Sequence, residues 1–108
     1  YMLTSFCTGW APNQGKYAGA DSMEGNWSML REIGDETTFA SQPAFILPLN
    51  GQAGTEYLYV GDRWNGKNYH DSRYIFLPIR CPQRGRLVLE WAPEVGVDAG
   101  SGRIFGPK

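Results

Sequence analysis

Thr38-Phe39-Ala40-Ser41-Gln42-Pro43, followed by Tyr57-Leu58-Tyr59-Val60-Gly61-Asp62-Arg63-Trp64 and then Asp71-Ser72-Arg73-Tyr74, decides how this chain is read. Each block joins a short run of β-forming residues to polar and aromatic residues at its end. Sites are built this way where strands run into a cleft: the strand supplies rigidity and its last residues supply chemistry. Around these blocks the second half of the chain forms four apolar runs, Phe39 to Leu49, Glu56 to Trp64, Arg73 to Arg80 and Arg86 to Trp91. Asn50-Gly51, Trp64-Asn65-Gly66 and Gln83-Arg84-Gly85 separate them, the residue types that hairpins require.

The first half repeats the theme with smaller residues. Tyr1 to Phe6, Lys16 to Ser22 and Trp27 to Arg31 read as three further strands, and Glu32 to Thr37 as a polar loop between the halves. No segment keeps a helical period with caps, and fourteen Gly and seven Pro disfavour long helices. The expected organisation is therefore all-β and antiparallel: three strands, a loop, then four strands. Local turns of this kind fit the four-stranded blades of a propeller and also a sandwich, and periodicity does not choose between them.

Composition narrows the function classes. A chain of 108 residues with formal net charge -1 is at most one domain and carries no basic stripe for nucleic acid. No apolar run reaches membrane-spanning length and no signal peptide is visible, so neither nucleic acid nor membrane is an expected partner. Aromatic residues make up 14% of the chain, and their flat faces serve both a β core and the stacking of sugar rings. Cys7 and Cys81 lack metal-ligand spacing and read as buried free thiols, with one long-range bridge as the alternative. No cofactor or metal is expected, and His70, the only histidine, reads as a surface residue.

Together with Thr8-Gly9-Trp10-Ala11-Pro12-Asn13, the three opening blocks resemble the C-terminal end of the catalytic domain of family 43 glycoside hydrolases. The resemblance is strongest to the subgroup related to exo-β-1,3-galactanases. It runs in order along nearly the whole chain and weakens after about Trp91. It implies a five-bladed β-propeller of which this chain carries about two blades. Residues 1–31 would be outer strands of the penultimate blade and 38–92 the final blade, while 93–108, with Gly96, Gly100, Gly102 and Gly106, reads from its glycines as an irregular tail. It also implies that an inner strand lies upstream of Tyr1, together with the general-acid glutamate. The exposed blade faces would then be covered by the rest of the propeller or by self-association.

Candidate chemistry follows from residue type and from that resemblance. Glycoside hydrolysis ordinarily uses two carboxylates, one protonated and one ionised. Asp62 with Arg63, and Asp71 with Arg73, read instead as structural ion pairs, because a neighbouring cation depresses the pKa a catalytic acid needs raised. The resemblance places Gln42 where an inverting enzyme carries its general base. An amide is a very poor base, so the role requires an imidic tautomer or simple orientation of the attacking water; a hydrogen bond across the blade is the plainer reading. The resemblance puts Thr8 and Trp10 at the substrate cleft, where a hydroxyl and an indole face suit a sugar; Trp64, at the end of its run, could line the same cleft or serve equally in packing. Asn13 reads as a turn former, and Trp27 and Trp91 as packing residues.

The expected function is that of a piece of a glycosidase acting on a galactan-type or related plant polysaccharide. The alternative is a non-catalytic carbohydrate-binding β module with Trp10 and Trp64 as its platform, and a third reading is a structural propeller piece without ligand. The resemblance implies a secreted or periplasmic location.

Overall fold

In a computed structural model describing residues 1–106, nine strands form three antiparallel sheets. The first sheet orders β1 (Met2–Thr4), β2 (Gly15–Ala18) and β3 (Arg31–Ile33). The second orders β4 (Gln42–Gly51), β5 (Gly54–Arg63), β6 (Arg73–Gln83) and β7 (Arg86–Leu89). A short 3-10 turn, Tyr69–Asp71, interrupts the connection into β6.

The period of two along the long strands makes the core. Ile46, Tyr59 and Leu77 stand opposite one another across β4, β5 and β6 and face the first sheet. Tyr17 and Ile33 meet them from β2 and β3, with Ile75, Ile79 and Leu89 completing the buried cluster. The other face of the four-stranded sheet carries the row Phe45, Val60 and Phe76, of which Phe45 and Phe76 are about half exposed. A sheet this apolar on both faces is made to be covered on both.

Three expectations need correction. The third strand lies at Arg31–Ile33, not at 27–31; Ile33 is buried, so apolar burial extends the strand into what reads as a polar loop. The stretch expected to be an irregular tail holds a two-stranded ladder, β8 (Gly96–Val97) with β9 (Ile104–Phe105). That hairpin docks on the β4–β5 turn, whose Gln52 and Ala53 amides donate to the Gly100 and Ser101 carbonyls, while Ile104 is buried. Cys7 and Cys81 are exposed free thiols, because Cys7 lies in the turn beyond β1 and Cys81 in the stretch of β6 between Arg80 and Gln83 where pairing with β7 is irregular.

Candidate functional site

The site begins with a backbone irregularity. The register of β4 on β5 slips at Ala44, so that Gln42 stands opposite Asp62 and Pro43 opposite Gly61. An extra residue in one strand bends it and re-aims what precedes it, here Gln42. Its Nε2 donates to the Gly9 carbonyl at 2.9 Å and to the Ala11 carbonyl at 2.8 Å. Two carbonyl acceptors around one nitrogen suit an NH2 group, and they set the orientation of the side chain. Oε1 is left as the open acceptor.

The loop that receives these bonds is itself tied. Asn13 takes the Phe6 amide on Oδ1 and donates Nδ2 to the Phe6 carbonyl and the Thr8 hydroxyl, which in turn donates to Ala11. Asn13 is thus the turn former expected of it. Thr8 spends its proton within the loop and retains one lone pair for a ligand.

Before Gln42 the chain makes a left-handed turn from residues that seldom adopt one. Thr38, Phe39 and Ala40 have φ of 52°, 54° and 56°. Each costs roughly 1–2 kcal/mol relative to right-handed backbone. The Asp35 carboxylate accepts the Phe39 amide at 2.6 Å and the Thr37 amide at 3.0 Å, and the first of these does most to hold its pKa below the ordinary carboxylate value. The buried Thr38 hydroxyl donates to the Asn13 carbonyl and accepts the Gly15 amide at 2.6 Å. Gly15 is glycine for this reason, since a Cβ there would lie 2.7 Å from the Thr38 oxygen. Ser41, also buried, donates to the Thr38 carbonyl and meets the Tyr59 hydroxyl. Burial raises the Tyr59 phenol above its ordinary pKa.

Beside Gln42 stands an aromatic group. Trp10 packs edge-on against Trp64 at 5.1 Å between ring centroids, and Trp64 stacks on Tyr69 at 5.6 Å. Trp10 and Tyr69 keep more than half their surface exposed, at 54% and 59%. A cavity of about 250 Å³ opens past Trp64 and Tyr69 towards Asp62, His70 and Tyr74.

The structure brings Gln42, Thr8, Trp10 and Trp64 into one region and separates the two expected ion pairs. Asp71 and Arg73 are bridged at 2.6 Å in an exposed position, where such a pair contributes little. Asp62 and Arg63 do not pair: neighbours on a strand point to opposite faces. Arg63 instead donates to the Phe39 carbonyl at 2.8 Å and lies over the Trp91 ring, and Asp62 makes no ion pair among the described residues. Trp91 packs on Phe39 yet stays half exposed, Trp27 is half-buried, and His70 is exposed. The described residues include no cluster of three or more His, Cys, Asp or Glu suited to a metal, and no helix long and apolar enough to cross a membrane. Asp35, Thr38, Ser41, Tyr59 and Tyr69 were missed by sequence reasoning. Only the short polar run Asp35-Glu36-Thr37-Thr38 ahead of Gln42 signalled a built turn.

This all-β chain packs one face of its four-stranded sheet on the first sheet and leaves the other, with Phe45 and Phe76, apolar and open, and solved structures place it among family 43 glycoside hydrolases. An exo-β-1,3-galactanase from Clostridium thermocellum is 44% identical with a TM-score of 0.92, over 97% of this chain and 23% of that one. An exo-β-1,3-galactanase from Phanerochaete chrysosporium, solved with β-1,3-galactotriose, is 33% identical with a TM-score of 0.84, over 97% of this chain and 24% of that one. A family 43 β-1,3-galactosidase solved with galactodeoxynojirimycin is 36% identical with a TM-score of 0.76, over 86% and 28%. No protein-family model and no curated protein matches the chain. The chain belongs to glycoside hydrolase family 43, spans about a quarter of the length of these relatives, and its two larger sheets are blades of the propeller.

Proposed function

We propose that this chain is the part of a galactan-cleaving glycosidase that holds the attacking water and one wall of the substrate cleft. The observation that carries the reading is the Gln42 amide, with both N–H protons given to Gly9 and Ala11 and Oε1 left open. An imidic tautomer has one N–H and would forfeit one of those bonds, so the geometry favours the amide as a water acceptor over the tautomer as a base. A water held on Oε1 is oriented for attack on the anomeric carbon, as an inverting mechanism requires. The protonated acid comes from a glutamate upstream of this chain. Both carboxyls here whose pKa departs from the ordinary, Asp35 and Asp98, are lowered, the opposite of what a general acid needs.

Trp10 supplies an exposed indole for the sugar ring, and Trp64 and Tyr69 hold its angle. The substrate class is β-1,3-linked galactan, by similarity to relatives named for that activity. The row Phe45, Val60 and Phe76 is covered in the whole protein by another blade. A polymer of this size is met outside the cell, which fits a secreted or periplasmic location. The exposed aromatic group alone would also suit a binding module, but that reading has no use for the amide anchored on two carbonyls.

The test is turnover of a β-1,3-galacto-oligosaccharide by the protein carrying the complete propeller. Gln42→Ala should lower kcat by about a hundredfold or more with little change in KM, since the loss falls on the transition state. Near-normal kcat in Gln42→Ala would leave the glutamine as blade packing only.

A further inference from the structure

We propose that Asp35 is a positioning residue for Gln42, acting through the left-handed turn between them; the proposal rests on the reading of Gln42 as the water holder. Three consecutive residues with positive φ, none of them glycine, persist only where the surroundings impose them. Here one carboxylate oxygen does most of the imposing. Asp35 Oδ1 takes the amides of Thr37 and Phe39 and the Thr37 hydroxyl at 3.3 Å. The Thr37 hydroxyl, so held, accepts the Ala40 amide at 3.0 Å, and the Ser41 amide closes on the Thr37 carbonyl at 3.2 Å. Remove the carboxylate and the turn loses the acceptor for the amide at its centre.

The turn matters to the site because it holds the same loop that Gln42 holds. Thr38 bonds the Asn13 carbonyl, while the Gln42 amide bonds Gly9 and Ala11. The loop that carries Trp10 is therefore gripped twice, and the two grips are joined only by Phe39, Ala40 and Ser41. If the backbone relaxed to right-handed geometry, Gln42 would shift relative to Thr38 and could not keep both its bonds. An ångström of misplacement suffices to cost about a hundredfold in rate. Arg63, donating to the Phe39 carbonyl, restrains the turn from the β5 side but contributes no acceptor for its amides.

The experiment compares kcat and KM of the complete protein on a β-1,3-galacto-oligosaccharide for Asp35→Ala, Asp35→Asn, Asp35→Ala with Ala40→Gly, and Gln42→Ala. Asp35→Ala should lower kcat by about tenfold to a hundredfold with KM within about threefold. Asp35→Asn keeps an acceptor oxygen and should recover most of the rate. Ala40→Gly should restore about tenfold in the Asp35→Ala background, because glycine adopts positive φ without strain. A fall in thermal stability with kcat unchanged would make Asp35 merely structural and overturn the proposal. So would failure of both Asp35→Asn and Ala40→Gly to rescue. Near-normal Gln42→Ala would remove the reading underneath, which is a different result from a crippled Gln42→Ala beside a normal Asp35→Ala. If Asp35→Ala does not fold, Thr37→Val removes the acceptor for Ala40 more gently, and wild-type kcat in that variant overturns the proposal equally.

Discussion

The hydroxyls of Ser41 and Tyr59 meet at 2.7 Å where neither residue has more than 1% of its surface exposed. Ser41 gives its own proton to the Thr38 carbonyl, so Tyr59 is the donor between them. The pair ties the residue preceding Gln42 to the middle of β5. Gly61 provides the space, since a Cβ there would stand 2.6 Å from the Tyr59 oxygen and 2.8 Å from that of Ser41.

Removing either partner should therefore have unequal effects. Ser41→Ala strands a buried phenol and also frees the Thr38 carbonyl, and should destabilise by about 1–3 kcal/mol. Tyr59→Phe leaves Ser41 bonded to Thr38 and should cost only about 0.5–1.5 kcal/mol. Urea unfolding of the two variants reads the order, and a costlier Tyr59→Phe would show that the pair is arranged otherwise.

Gly61→Ala should destabilise by about 1–3 kcal/mol through overpacking, although alanine suits a strand better than glycine. Equal or improved stability in a thermal melt would mean that Tyr59 and Ser41 can separate freely.

Acid should loosen the turn before the sheet. The Asp35 carboxyl is held below its ordinary value of 3.8, chiefly by the Phe39 amide. A depressed carboxyl contributes stability that is complete above the unfolded value and is lost as the pH falls through the folded one. Asp98, lowered mainly by the Ser101 hydroxyl, adds a loss in the same window. Asp35→Asn should accordingly be less stable than wild type near neutral pH, and the gap should shrink below about pH 4. A gap independent of pH in denaturant titrations would separate Asp35 from the acid response.

Gln42→Glu should behave as a misplaced charge. A carboxylate cannot donate to the Gly9 and Ala11 carbonyls and would face both oxygens at close range. Its pKa should rise, so the variant should be least stable above about pH 4–5 and regain stability in acid. Stability equal to wild type at neutral pH would mean that the amide contacts are dispensable.

Much of the fold was legible because alternation and Gly/Asn turns mark long antiparallel strands directly. The four runs from Phe39 to Trp91 became β4 to β7 with shifts of only a few residues at their ends. The short strands were harder: Ile33 is buried by β2 and the four-stranded sheet, which no local pattern around Glu32 announces. Gln42, Thr8 and Trp10 were singled out through the family resemblance and Trp64 through its place at a strand end, and the structure brings the four into one region. The left-handed turn was not, because Thr38-Phe39-Ala40 holds no glycine and its conformation comes from Asp35, Asn13 and Arg63. Asp62 and Arg63 misled for the converse reason, since adjacency in sequence is opposition on a strand.

The isolated 108-residue chain should release no galactose from β-1,3-galactan and should self-associate through the face bearing Phe45 and Phe76. A monodisperse monomer by light scattering would contradict the second part, and catalysis by the purified chain the first.

The most direct measurement is a crystal structure of the complete protein with a β-1,3-galacto-oligosaccharide bound. The account predicts Gln42 Oε1 within hydrogen-bonding distance, about 2.7–3.2 Å, of a single water that faces the anomeric carbon, with the Trp10 indole against the sugar and Nε2 still on Gly9 and Ala11. A sugar bound away from Gln42, or an Oε1 turned into the protein with no water between it and the ring, would contradict it.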